Sequence, residues 1–290
     1  MTKFADYFSG IKARKAYDPG TALSLAVACD LAYKAENTVK RTSRAWGFRH
    51  CSFVERTKGH DIDTQGYVMA DETDIVCVFR GSDDIRDWFA NFQAVRDPGP
   101  LQGTQAHEGF QDSLYPAVIA FTNAIDSYGG DTKRIWITGH SLGGAICSLY
   151  AGMLIENGYE VYAIYNFASP RPGNDNYAVQ LNQAMQNRPH YRVVNDGDIV
   201  PHLPPEPFFS HPGKRVLLYA NKKSTATSAW TQMRKKVFEV LMSLTGKPWE
   251  RIEKHLLHHP DHGYIKMLID DLGRVARKSG RRRRSRRSRR

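Results

Sequence analysis

An α/β fold built on a largely parallel sheet is what this 290-residue sequence predicts. Three observations predict it. Between about Ile75 and Tyr219, short apolar runs bounded by turn residues alternate with segments of helical apolar spacing. That alternation belongs to a mostly parallel central sheet with helices on both faces. The hydrophobic content of 41% and charged content of 24% are those of a globular chain. The length suffices for one large domain with a substantial core, and no internal repeat interrupts it.

In chain order, the first element is a helix over 21–34. Leu23, Ala26, Val27, Asp30 and Leu31 share one face, and Pro19 suits a first helical turn. The apolar run 22–29 has a second reading as a signal-peptide core, with Ala26-Val27-Ala28-Cys29 as a weak lipoprotein-type cleavage site. Signal cores follow a short basic lead, whereas Asp18 and Pro19 stand directly before this run, and helix is the reading taken. Strands are expected at 51–54, 66–69, 75–79, 135–138, 161–167, 191–194 and 215–219. Further helices are expected at 111–127, 142–157, 175–187, 228–244, 249–257 and 264–276. No stretch approaches the roughly 20 apolar residues of a membrane span.

The formal net charge of +11, from 41 Lys and Arg against 30 Asp and Glu, sits at one end of the chain. Residues 274–290 hold eleven Lys and Arg and no acid, so the rest balances at 30 (41 − 11) against 30. The high pI describes an appendage, not a basic groove in the body. Four cysteines, Cys29, Cys51, Cys77 and Cys147, form no C-x-x-C and no paired spacing, which argues against a zinc or redox motif. A reducing compartment fits them. With no clear signal peptide or membrane span read, the location stays open and a cytoplasmic one is favoured.

The chemistry is concentrated in Gly139-His140-Ser141-Leu142-Gly143, a G-x-S-x-G directly after a strand-like run and directly before a helical pattern. This is the context of a nucleophile elbow and predicts an α/β-hydrolase. A serine hydroxyl needs a histidine to take its proton and an acid to orient that histidine. In this fold the chain order is serine, acid, histidine. The turn Asn195-Asp196-Gly197-Asp198 ends a strand, so both Asp196 and Asp198 are candidates. Downstream histidines are His202, His211, His255, His258, His259 and His262, of which the last three share a loop before the final helix. No Cys or Glu partners at metal spacing accompany them.

At this point the sequence resembles the fungal-type class 3 lipases, over roughly Tyr17 to Tyr219 with a weaker continuation to Tyr264. The segments that carry the likeness are Phe79-Arg80-Gly81-Ser82, His107-Glu108-Gly109-Phe110, Gly139 to Ala145, Ala168-Ser169-Pro170-Arg171-Pro172-Gly173-Asn174 and Asp198-Ile199-Val200-Pro201. The resemblance implies Ser141 as nucleophile, Asp198 as triad acid over Asp196, and Ser82 as an oxyanion-hole residue with the Leu142 N–H as second donor. It places the histidine shortly before the aromatic that opens the last helix, hence His262, with His259 as the alternative. His107 and Glu108 are given no catalytic role. Ala168 and Pro172 depart from the family pattern, a change expected to affect packing more than chemistry. The arginine tail is no family feature.

After Ser82, the residues Ile85, Trp88, Phe89 and Phe92 fall at i, i+3, i+4 and i+7, with Asp83 or Asp84 as a cap. The resemblance favours a lid helix over the active site rather than a fixed surface helix. A stripe of Trp230, Met233, Val237, Leu241 and Leu244 marks a helical insertion at about 222–258. The expected organisation is therefore one hydrolase domain over 1–273 and a disordered Arg-rich tail over 274–290. The expected activity is cleavage of acylglycerol or phospholipid esters through an acyl-enzyme, with no metal or organic cofactor. Lipid or ester is then the substrate partner, and the tail a candidate for an anionic membrane surface or nucleic acid. The alternative is a non-catalytic hydrolase-fold scaffold that presents the tail to nucleic acid or an acidic partner.

Overall fold

The computed structural model describes residues 4–58, 62–82, 93–219 and 253–274. Three antiparallel strands, β1 (His50–Lys58), β2 (Ile62–Ala70) and β3 (Asp74–Phe79), begin the main sheet. A separate ribbon pairs β4 (Arg96–Pro98) with β5 (Gln105–His107). The main sheet continues in parallel through β6 (Arg134–His140), β7 (Val161–Phe167), β8 (His190–Asn195) and β9 (Lys214–Leu218). Its spatial order is β1-β2-β3-β6-β7-β8-β9. The helices are α1 (Pro19–Leu31), α2 (Glu36–Ala45), α3 (Glu108–Ser127), α4 (Leu142–Glu156), α5 (Asp175–Ala184) and α6 (264–274).

The alternation of side chains along each strand explains the layering. Val76, Val78, Trp136, Tyr165 and Val193 face a core closed by α1 and α6. Ile75, Cys77, Phe79, Ile137 and Ile164 face the opposite core, closed by α3, α4 and α5. Strands covered on both faces read as nearly continuous apolar runs, as β3 does from Ile75 to Phe79, and β3 is buried along its whole length. The apolar run 22–29 lies inside α1, whose residues from Thr21 to Leu31 are all buried. Asp18 caps that helix by accepting from the Thr21 N–H at 2.8 Å.

All seven expected strands appear, each within a few residues of its reading. Three features differ. The helix expected at 249–257 is absent where described, because residues 253–259 form turns and bends. Helix α2 and the β4–β5 ribbon were not foreseen. The lid segment (Ile85, Trp88, Phe89, Phe92), most of the 222–258 insertion with its Trp230 stripe, and the tail beyond Arg274 lie outside the described residues.

Candidate active site

The site lies at the C-terminal ends of β3, β6 and β8, where an α/β sheet delivers its functional loops. Ser141 occupies the sharp turn between β6 and α4 with φ 58° and ψ −130°. An L-residue is strained there, and the surroundings fix it. Its N–H donates to the Phe167 carbonyl at 3.0 Å, and its carbonyl accepts from the Gly144 N–H at 2.8 Å. Strand and helix pass so closely that a Cβ on Gly139 would overlap the Gly143 carbonyl, and one on Gly143 the Phe79 carbonyl. Leu142 is the first residue of α4, so its N–H is among those a helix leaves without an internal acceptor.

The Arg80-Gly81-Ser82 loop follows β3 and runs flush against this elbow. A Cβ on Gly81 would stand 2.7 Å from the His140 carbonyl and 2.9 Å from Ser141 Cβ. Glycine is therefore required by closeness, and the next residue of this loop is the half-buried Ser82.

Asp198 is fully buried at the end of the β8 turn. Its Oδ1 accepts from the Val200 N–H at 3.0 Å, and its Oδ2 from the Tyr264 hydroxyl at 2.6 Å. Both oxygens also lie near the His255 Nδ1, at 3.2 and 3.1 Å. The contact fixes Nδ1 as the donor, since a carboxylate can only accept, so in the neutral ring Nε2 is the acceptor nitrogen. That Nε2 is buried with no hydrogen-bond partner among the described residues.

The imidazole beside Asp198 is thus that of His255, and neither the expected His262 nor its alternative His259 is brought there. His262 is exposed, and only its carbonyl enters the site region, accepting from Asn195 Nδ2 at 2.6 Å. His259 Nδ1 is taken up by the turn itself, accepting from the N–H groups of Asp261 and His262 at 3.3 and 3.2 Å. The physical reason is a folded-back loop. The N–H groups of Tyr264 and Ile265 donate to the Leu256 and Leu257 carbonyls, so residues distant along the chain lie close in space. Spacing to Tyr264 along the sequence therefore does not identify the imidazole that meets Asp198. What the sequence did offer for His255 was its order after Asp198, shared with five other histidines.

Asn195 holds this loop to the sheet, its Nδ2 donating to the Lys254 carbonyl at 2.8 Å as well as to that of His262. Burial keeps Tyr264 protonated, the first of several causes that raise its pKa well above the ordinary value, with the Asp198 charge next. His140, adjacent to Ser141, is buried and held neutral, its pKa pushed well below 6.5 chiefly by desolvation. His107 stacks on Phe110 with ring centroids 3.9 Å apart.

Against known proteins, residues 76–208 match the family model described as "Lipase (class 3)". Among similar proteins, the lipase of Rhizomucor miehei is 33% identical over 202 residues, covering 62% of this chain and 53% of that protein. Secreted mono- and diacylglycerol lipase 1 of Fusarium solani is 32% identical over 189 residues, covering 61% and 56%. The chain thus spans about half the length of the curated relatives it matches. The structure resembles the native Rhizomucor miehei lipase propeptide complex with a TM-score of 0.54 and 26% identity, over 73% of this chain and 74% of that one. It also resembles a triacylglycerol lipase described as having a serine protease triad at its catalytic centre, with a TM-score of 0.53 and 27% identity, over 74% and 78%.

Proposed function

We propose that this class 3 lipase relative is a serine carboxylic-ester hydrolase acting through an acyl-enzyme, with Ser141, His255 and Asp198 as its triad. The observation that carries the reading is the buried His255–Asp198 pair at 3.1 Å, which leaves one ring nitrogen without a partner among the described residues. In the proposed reaction Ser141 Oγ attacks the ester carbonyl while His255 Nε2 takes its proton. Asp198 holds the Nδ1–H and favours the imidazolium that forms. Ser82 and the Leu142 N–H donate to the tetrahedral oxyanion. Collapse expels the alcohol, protonated by His255. Water, deprotonated by the same nitrogen, then releases the acid and restores Ser141.

Acylglycerols are the favoured substrates, since the relatives carry the names lipase and mono- and diacylglycerol lipase; phospholipid esters are the alternative. Residues 1–273 are read as one hydrolase domain. Within it, segment 83–92 is read as a lid whose Trp88 meets apolar substrate surfaces. The Arg-rich tail, 274–290, is read as a tether to anionic lipid, worth about 1 kcal/mol per basic residue near the surface. Release of p-nitrophenol from butyrate and palmitate esters tests the core of the reading. Loss of activity in Ser141→Ala and His255→Ala is expected, and a folded, inactive wild type on both esters would remove it.

A further inference from the structure

One hydrogen-bonded chain joins the three parts on which the proposed reaction depends. His140 Nε2 lies 2.8 Å from the His255 carbonyl, and His140 Nδ1 lies 3.1 Å from the Tyr33 hydroxyl. The same hydroxyl lies 3.1 Å from the Gly81 nitrogen, whose N–H it accepts. The directions are forced. A carbonyl only accepts, so the His140 proton is on Nε2. The buried ring is neutral, so Nδ1 is a lone pair and the Tyr33 hydroxyl must donate to it. The hydroxyl oxygen in turn accepts from the Gly81 N–H. One tautomer satisfies every link, from the Ser82 loop through Tyr33 and His140 to the backbone of His255.

We propose that Tyr33 and His140 are positioning residues that lock the Gly81–Ser82 loop and the His255 loop to the nucleophile elbow through this single-tautomer chain. The inference rests on the ester-hydrolase reading given above. His140 is bonded covalently to Ser141, so each link refers its loop directly to the nucleophile. Neither residue touches the reacting atoms. Both act through where they hold other groups, and oxyanion donors lose effect when displaced by fractions of an ångström. The packing agrees, with the His140 ring 4.8 Å from that of His255 and set edge-on to that of Tyr33 at 6.3 Å.

A double-mutant cycle on p-nitrophenyl butyrate tests the proposal, using wild type, Tyr33→Phe, Ser82→Ala and the double variant, with Ser141→Ala as the background. Tyr33→Phe keeps the ring and removes only the hydroxyl. It is expected to lower kcat by about 10-fold with KM changed less than about 2-fold, the signature of an interaction that matters in the transition state. In the Ser82→Ala background the same change is expected to cost less than about 3-fold, because the loop it positions has already lost its donor. His140→Asn, which keeps an acceptor for the Tyr33 hydroxyl but not the donor to His255, is expected to lower kcat while retaining coupling to Ser82. Additive losses in the cycle, or a Tyr33→Phe effect confined to KM or thermal stability, would overturn the inference while the hydrolase reading stands. Absence of Ser141-dependent hydrolysis in the wild type would instead remove the hydrolase reading, and this inference with it.

Discussion

The Tyr264 hydroxyl donates to Asp198 Oδ2 at 2.6 Å while accepting the Asn195 N–H at 3.0 Å, so one phenol ties the candidate triad acid to the end of β8. Tyr264→Phe removes a bond to a buried carboxylate and leaves a buried N–H without its acceptor. A stability loss of about 1.5–3 kcal/mol is expected in urea unfolding. Ester hydrolysis should fall, but by far less than the about 10⁴-fold typical of losing the triad acid's function.

The histidines give the sharpest comparison. His255→Ala is expected to lower hydrolysis by about 10³-fold or more. His259→Ala and His262→Ala should each keep most of the wild-type rate, because one side chain caps a turn and the other is exposed. An active His255→Ala beside an inactive His262→Ala would reverse the assignment.

Ser82→Ala is expected to reduce kcat by about 10²–10³-fold, the usual effect of losing one oxyanion donor. Circular dichroism should be unchanged, since the side chain is only half-buried.

The elbow makes a prediction about folding. Gly143→Ala drives a methyl group into the Phe79 carbonyl, which cannot move without shifting β3. A loss of about 3 kcal/mol or more is expected in chemical denaturation, where overpacking of a tight site reaches its upper range. Ala145→Gly, two residues along the same helix, should cost about 1 kcal/mol from helix propensity, plus the loss of one buried methyl.

Much of this architecture is written in residue patterns that survive without tertiary context. The strands at 75–79, 135–138 and 161–167 are almost entirely apolar, with Thr138 and Asn166 the exceptions, because helices cover both faces, and such nearly continuous apolar runs are readable. The elbow is legible for the same reason: close approach demands glycine at fixed offsets. Helix α2, ENTVKRTSRA, was illegible because only Val39, Thr42 and Ser43 are buried, which leaves no apolar period to detect. The β4–β5 ribbon has three residues per strand, and β4 is fully exposed. His255 was missed for a different reason. Its place depends on the Asn195 amide reaching the Lys254 carbonyl, a contact between residues 59 apart in sequence.

Acid sensitivity follows from three buried histidines away from the elbow. His107 and His202 are pushed down to about 4 and His190 to about 3 from an ordinary 6.5, with burial the largest cause in each. The folded chain holds them neutral while the unfolded chain protonates them first. Their contribution is complete above about pH 6.5 and is lost as pH falls toward 4. Urea midpoints at pH 7.5, 5.5 and 4.5 should therefore decline steadily, and a flat series would contradict the reading.

The Asn195–Gly197 turn has a consequence for how the chain can vary. The Asp196 N–H donates to the Leu218 carbonyl at 3.0 Å, where β9 ends, and the Asn195 amide holds the Lys254 carbonyl. The chain departs and returns at the same address, so the stretch between is a detour whose two ends are already pinned. Closing a longer detour adds only about 0.6 kcal/mol per doubling of its length. A change in the length of chain between Leu218 and Lys254 is therefore expected to leave the imidazole where β8 and Asn195 put it.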